Sequence, residues 1–125
     1  MKKFPILAVA LIATQAIIFQ AKADIYDAIV YCQVEGIRTG QLALRNEPNG
    51  KPFAGLNNGN QVQATAGTLS PDRNGSNSTW EYVKVLQGPN RQVNGRQGWV
   101  NSDYLSCNWY DENGTFIRHE PAKKR

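Results

Sequence analysis

Trp80-Glu81-Tyr82-Val83-Lys84-Val85-Leu86 is the stretch that decides the fold. Val83 and Val85 fall on one side of an extended chain, and Tyr82 and Lys84 on the other. Successive side chains of a strand point to opposite faces, so this alternation predicts a half-buried antiparallel strand with its valines inward. Similar short runs lie on both sides. Val62 and Ala64 alternate with Gln61 and Gln63, and Leu42 and Leu44 alternate with Ala43 and Arg45. Ala28 to Val34 is apolar and β-branched enough for a first strand. Gln97 to Val100 is brief, and Cys107 to Tyr110 is placed to pair with Thr115 to Ile117.

Five Asn-Gly pairs punctuate these runs, at 49–50, 58–59, 74–75, 94–95 and 113–114. Asn and Gly tolerate the positive φ angles of tight hairpin turns, so the repeated pairs argue for an all-β domain. The segment Gly67 to Thr79 is rich in Ser, Asn, Gly and Pro and reads as a long exposed loop, either functional or simply mobile.

The first residues have a different character. Lys2 and Lys3 precede an apolar run from Phe4 to Phe19, and Ala21-Lys22-Ala23 is a small-x-small cleavage pattern. The segment 1–23 is therefore expected to be a secretory signal peptide, with an uncleaved N-terminal anchor as the alternative. The run is shorter than a typical membrane span, so no stable membrane insertion is expected after cleavage. The protein is then periplasmic or secreted.

The formal charge is +4, from 14 basic and 10 acidic residues. Removal of 23 of the 125 residues leaves 102. Three basic residues leave with the signal segment, so 11 remain against all 10 acidic ones. Arg118, Lys123, Lys124 and Arg125 oppose only Glu120 at the end of the chain, which leaves a net of −2 on the body 24–117. Phosphate contacts need clustered Lys and Arg, so a nucleic-acid-binding core is not expected. The tail 118–125 reads as a frayed solubilising end, or else as a segment touching anionic polymer or lipid head groups.

Cys32 and Cys107 are the two cysteines. An even count in an exported chain favours a disulfide. It would close a loop of about 75 residues, worth roughly 4–5 kcal/mol on the chain-entropy model. His119, the one histidine, lies in the polar tail and is a poor base for a thiol. Two distant Cys and a tail His show no metal-ligand spacing, so neither a metal nor a cofactor is expected.

The middle of the chain resembles the bacterial SH3-like (SH3b) domain family. The residues carrying this are Leu42-Ala43-Leu44-Arg45, then Glu47-Pro48-Asn49-Gly50, then Gly55-Leu56 and Asn58-Gly59-Asn60-Gln61-Val62. Trp80-Glu81-Tyr82-Val83-Lys84-Val85, Gly95-Arg96-Gln97-Gly98-Trp99-Val100 and Ser102-Asp103-Tyr104-Leu105 complete the order. The resemblance runs from Leu42 to Leu105. It implies a small SH3-like barrel of five to six short antiparallel strands, to which the cysteines add a terminal disulfide staple. Gly98 would permit a close backbone approach beside Trp99, and Ser102 to Leu105 a short 3-10 turn. The chain departs from the family pattern at Ala43, where Asn is usual, and in the length of the 67–79 loop. The expected organisation is a signal peptide over 1–23, an N-terminal strand and linker over 24–41, the barrel over 42–107, and a C-terminal hairpin with a basic tail over 108–125.

The resemblance also implies a non-catalytic binding module for peptidoglycan peptides or other proteins. Parity adds an independent argument. With Val83, Val85 and Val100 inward, Tyr82 and Trp99 point outward, and Trp80 shares the parity of Tyr82. Trp80, Tyr82, Trp99 and Tyr104 are thus candidate ligand contacts in an aromatic groove, with Arg45 and Asp103 beside them. The plain alternatives are aromatics packed at a barrel end, an Arg45–Asp103 ion pair, and a solvated strand face for Glu81 and Lys84. A second function is a periplasmic inhibitor or immunity protein that blocks a hydrolase, inserting the 67–79 loop. No nucleophile with a base in reach stands out, so an enzyme is not expected.

Overall fold

The computed structural model describes residues 28–64 and 79–124. The signal segment 1–23, the Asn74-Gly75 pair and nearly all of the 67–79 loop lie outside the described residues. Eight strands run in chain order: β1 (Ile29–Val34), β2 (Leu42–Arg45), β3 (Pro52–Leu56), β4 (Gln61–Ala64), β5 (Trp80–Gln87), β6 (Gln97–Asn101), β7 (Leu105–Tyr110) and β8 (Phe116–Glu120). A 3-10 turn at Ser102–Tyr104 joins β6 to β7, as the Ser-Asp-Tyr-Leu piece implies. No helix among the described residues is long and apolar enough to cross a membrane.

The chain is all-β, and every strand pairing is antiparallel. The strands form one sheet in the order β3-β2-β6-β5-β4-β1-β7-β8. The sheet is not closed; β3 and β8 are its edges. The eight strands exceed the five or six expected because both flanks of the motif join the same sheet. β1 lies inside it, third from the β8 edge, between β4 and β7, and β8 pairs with β7. β3 was not foreseen as a strand. It begins with Pro52 and contains Ala54 and Gly55, all poor strand formers, and an edge tolerates the missing proline N–H.

The turns follow the Asn-Gly pairs. Asn49 has φ 56°, and Gly59, Gly95 and Gly114 have φ of 89°, 83° and 84°. In the last turn the Asp111 carboxylate accepts the backbone N–H of Asn113 at 2.9 Å and of Thr115 at 2.8 Å, which sets up the β7–β8 hairpin. The predicted pairing of Cys107–Tyr110 with Thr115–Ile117 is therefore present, in a longer form.

One face of the sheet is the core. Val30, Val34, Leu44, Leu56, Val62, Val83 and Val100 are all 0% exposed. These residues pack together in one apolar cluster, with Phe53 and Tyr104 half-buried against it. Gly98 sits on this face where β2 and β6 touch: a Cβ there would lie 2.8 Å from the Arg45 carbonyl oxygen and 3.0 Å from Leu44 Cδ1. Cys32 and Cys107 are bonded, buried, and directly opposite on β1 and β7.

Two expectations are overturned. Glu81 is not on a solvated face: it is 1% exposed, on the core side with Val83 and Val85, whose parity it shares, and it is not without a partner. The tail is not frayed over 118–124. β8 runs to Glu120, Ala122 is buried, and the backbone N–H groups of Lys123 and Lys124 both donate to the Asp103 carbonyl at 2.9 Å. A carbonyl has two lone pairs, so one oxygen at the 3-10 turn holds both amides.

Candidate functional site

The outward side chains of β2, β6 and β5 meet in one row. Arg45 is in register with Trp99, and Trp99 with Tyr82. Opposite residues on antiparallel strands are near neighbours, and the Tyr82 and Trp99 rings pack edge to face with centroids 5.4 Å apart. Such a pair contributes about 0.5–1.5 kcal/mol beyond its buried area. Trp80 is two residues along β5 from Tyr82 and is drawn into the same group by Arg45, whose guanidinium carbon lies 5.7 Å from its ring centroid. Arg45 Nη1 also donates to the Gly50 carbonyl at 2.6 Å, which fixes the head group between the turn and the ring.

A groove of about 540 Å³ opens beside this row. Ile37, Arg38, Arg45, Trp80, Asn101 and Tyr104 line it, together with Ala43 and Lys124. Of the six candidate contacts, Arg45, Trp80 and Tyr104 thus share the groove. Tyr82 and Trp99 form the neighbouring aromatic pair, outside the lining. All are half-buried, neither sealed in the core nor free in solvent. Ala43 lines the groove without a polar group.

Asp103 has another role. Its carboxylate lies 4.0 Å from Lys123 Nζ, and its main-chain carbonyl holds the tail. Its own N–H donates to the Asn101 side chain at 2.9 Å. The Arg45–Asp103 ion pair considered as an alternative is not formed: Arg45 is engaged by Gly50 and Trp80.

The charge of the groove differs from that of the body. Arg38, Arg45 and Lys124 line it with no carboxylate among the lining residues. Net charge averages over the chain and misses this, because Lys124 reaches the groove only when the tail docks. The groove suits a ligand with an aliphatic or planar part against Trp80 and an anionic group beside Arg45.

His119 was read as a tail residue. It lies on β8, with Nδ1 2.7 Å from Asn108 Oδ1 and Nε2 3.5 Å from Ser106 Oγ. Both cysteines are in the disulfide. Among the described residues no three His, Cys, Asp or Glu side chains gather as metal ligands would. The inhibitor reading turns on the 67–79 loop, outside the described residues but for its last position. No family model, curated protein or solved structure matches the chain significantly.

Proposed function

We propose that this chain is an exported, non-catalytic SH3-like binding module that takes a carboxylate-bearing peptide, from the cell wall or from a partner protein, in the groove at Arg45, Trp80 and Tyr104. The observation that carries the reading is the placement of Arg45: its head group is held over Trp80 at the rim of a groove lined by three cations and no carboxylate. Fixing a guanidinium before binding lowers the ordering cost of an ion pair with a ligand. A buried disulfide fits an oxidising compartment, in line with the signal-like first segment. An antiparallel sheet with one buried face fits a barrel-like module, and the ordered motif pieces favour the SH3-like form of it.

Co-sedimentation with purified sacculi tests the wall form. The wild-type protein leaves the supernatant, and Trp80→Ala and Arg45→Ala each retain it there. No depletion of the wild type, or equal depletion of all three, overturns the wall form. A pull-down from periplasmic extract that recovers the same proteins with wild type and with Arg45→Ala overturns the partner-protein form.

A further inference from the structure

A second concavity, of about 850 Å³, lies on the outer face of β4, β1, β7 and β8, away from the aromatic row. Strand register lays the outward side chains of these strands out in two parallel rows, of which all but Gln63 line the concavity. Gln63, Tyr31, Asn108 and His119 are consecutive cross-strand neighbours in the first. Gln61, Gln33 and Ser106 form the second, two residues further along. Four strands at their ordinary spacing make the face about 14 Å wide, and rows two residues apart are separated by about 7 Å.

The face is mixed, with amide and hydroxyl side chains beside the apolar surface of Tyr31, Leu86 and Pro121. Gln33, Gln61, Asn108 and Ser106 each carry both donor and acceptor capacity. Among the described residues nothing hydrogen-bonds the side chains of Gln33 or Gln61. His119 Nδ1 lies 2.7 Å from Asn108 Oδ1 and Nε2 3.5 Å from Ser106 Oγ, so the ring is held among the polar side chains of this face. Tyr31 stands in the middle, 45% exposed, with its ring 6.0 Å from Tyr110, which in turn packs 5.9 Å from Phe116. A supported, exposed ring offers a flat apolar surface at low entropic cost.

The lining has one carboxylate, Glu35, and one ammonium, Lys124, so its formal charge balances with His119 neutral. An ionic ligand finds no net attraction here. A purely apolar one would strip water from the amides without replacing their hydrogen bonds. An extended peptide gains little, because the main chains of β4, β1 and β7 already pair on both sides. The ligand class that matches on every count is uncharged, rich in hydroxyls that both donate and accept, and has one flat C–H face.

The geometry points to a neutral oligosaccharide as the ligand of this face, with Tyr31 stacking on a sugar ring and Gln33, Gln61, Ser106, Asn108 and His119 reading its hydroxyls. The site is separate from the peptide groove, and the two meet at Gly36 and Lys124, which line both.

Backbone-amide NMR of the mature chain, titrated with a β-1,4-linked N-acetylglucosamine tetramer and with cellotetraose, tests the assignment. At least one probe shifts the amides of Tyr31, Gln33, Gln61, Ser106 and Asn108 at ~10 mM, the range of weak single-site binding. Tyr31→Ala weakens that binding by about tenfold, as loss of a central aromatic anchor does. Gln61→Ala, at an exposed position, weakens it without threatening the fold, and Arg91→Ala leaves it unchanged. Absence of shifts with both sugars overturns the assignment, as do shifts centred on Arg45, Trp80 and Tyr104 instead. Sacculus sedimentation of Tyr31→Ala beside Tyr31→Ala/Arg45→Ala reads the peptide groove with this face removed, so the two readings fail separately.

Discussion

Cys32 on β1 and Cys107 on β7 are direct cross-strand partners, with Cα atoms 4.0 Å apart and 75 positions between them in sequence. The bond ties an interior strand of the sheet to the strand that carries the C-terminal hairpin. Reduction, or the Cys32→Ala/Cys107→Ala double change, lowers stability by about 2–5 kcal/mol. Urea unfolding with and without reductant measures this. Equal midpoints in the two conditions would show that the sheet does not depend on the staple.

Gly98 lets β6 approach β2. A methyl group there meets the Arg45 carbonyl and the Leu44 side chain at 2.8 Å and 3.0 Å. Backbone does not yield as a side-chain tip does, so Gly98→Ala destabilises by about 1–3 kcal/mol, the usual cost of overpacking. A thermal melt of the variant checks it. The same change displaces Arg45, so ligand capture at the groove falls with it.

Tyr82 and Trp99 form an edge-to-face pair across β5 and β6. A double-mutant cycle with Tyr82→Ala and Trp99→Ala returns a coupling of about 0.5–1.5 kcal/mol in unfolding free energy. A coupling near zero would mean that each ring packs independently on the sheet.

The tail is held by the main chain of Asp103, not by its carboxylate. Lys123 Nζ, at the end of an exposed side chain, stands 4.0 Å from Asp103 Oδ1, and surface ion pairs of this kind contribute about 0–1 kcal/mol. Asp103→Asn therefore leaves slow hydrogen exchange at the Lys123 and Lys124 amides intact. Fast exchange at those amides in the variant would assign the docking to the charge.

Much of this was legible in the residues, for local reasons. The alternation of Val83 and Val85 with Tyr82 and Lys84 marks β5 and its inward face, and four of the Asn-Gly pairs mark turns with positive φ. The outward parity of Trp80, Tyr82 and Trp99 follows from the same rule. What escaped depends on distant partners. β3 exists because β2 pairs with it, against the preferences of Pro52 and Gly55. Glu81 shares its parity with the core valines, but its charge suggested solvent, and only the finished sheet encloses it. His119 and Lys124 acquire their surroundings when β8 pairs with β7 and the tail reaches Asp103. The charge of the groove was hidden for the same reason.

The interior position of β1 also sets a timetable. Its neighbours are β4, about one quarter of the chain later, and β7, which arrives near the end. A polypeptide emerging N-terminus first therefore holds its first strand without either neighbour, and then with one, while most of the sheet is delivered. Long-range pairing of this kind slows folding and leaves strand edges open to wrong partners. Cys32 waits longest, because its sulfur finds its mate only when Cys107 appears. The longest wait in the sheet thus falls on its first strand.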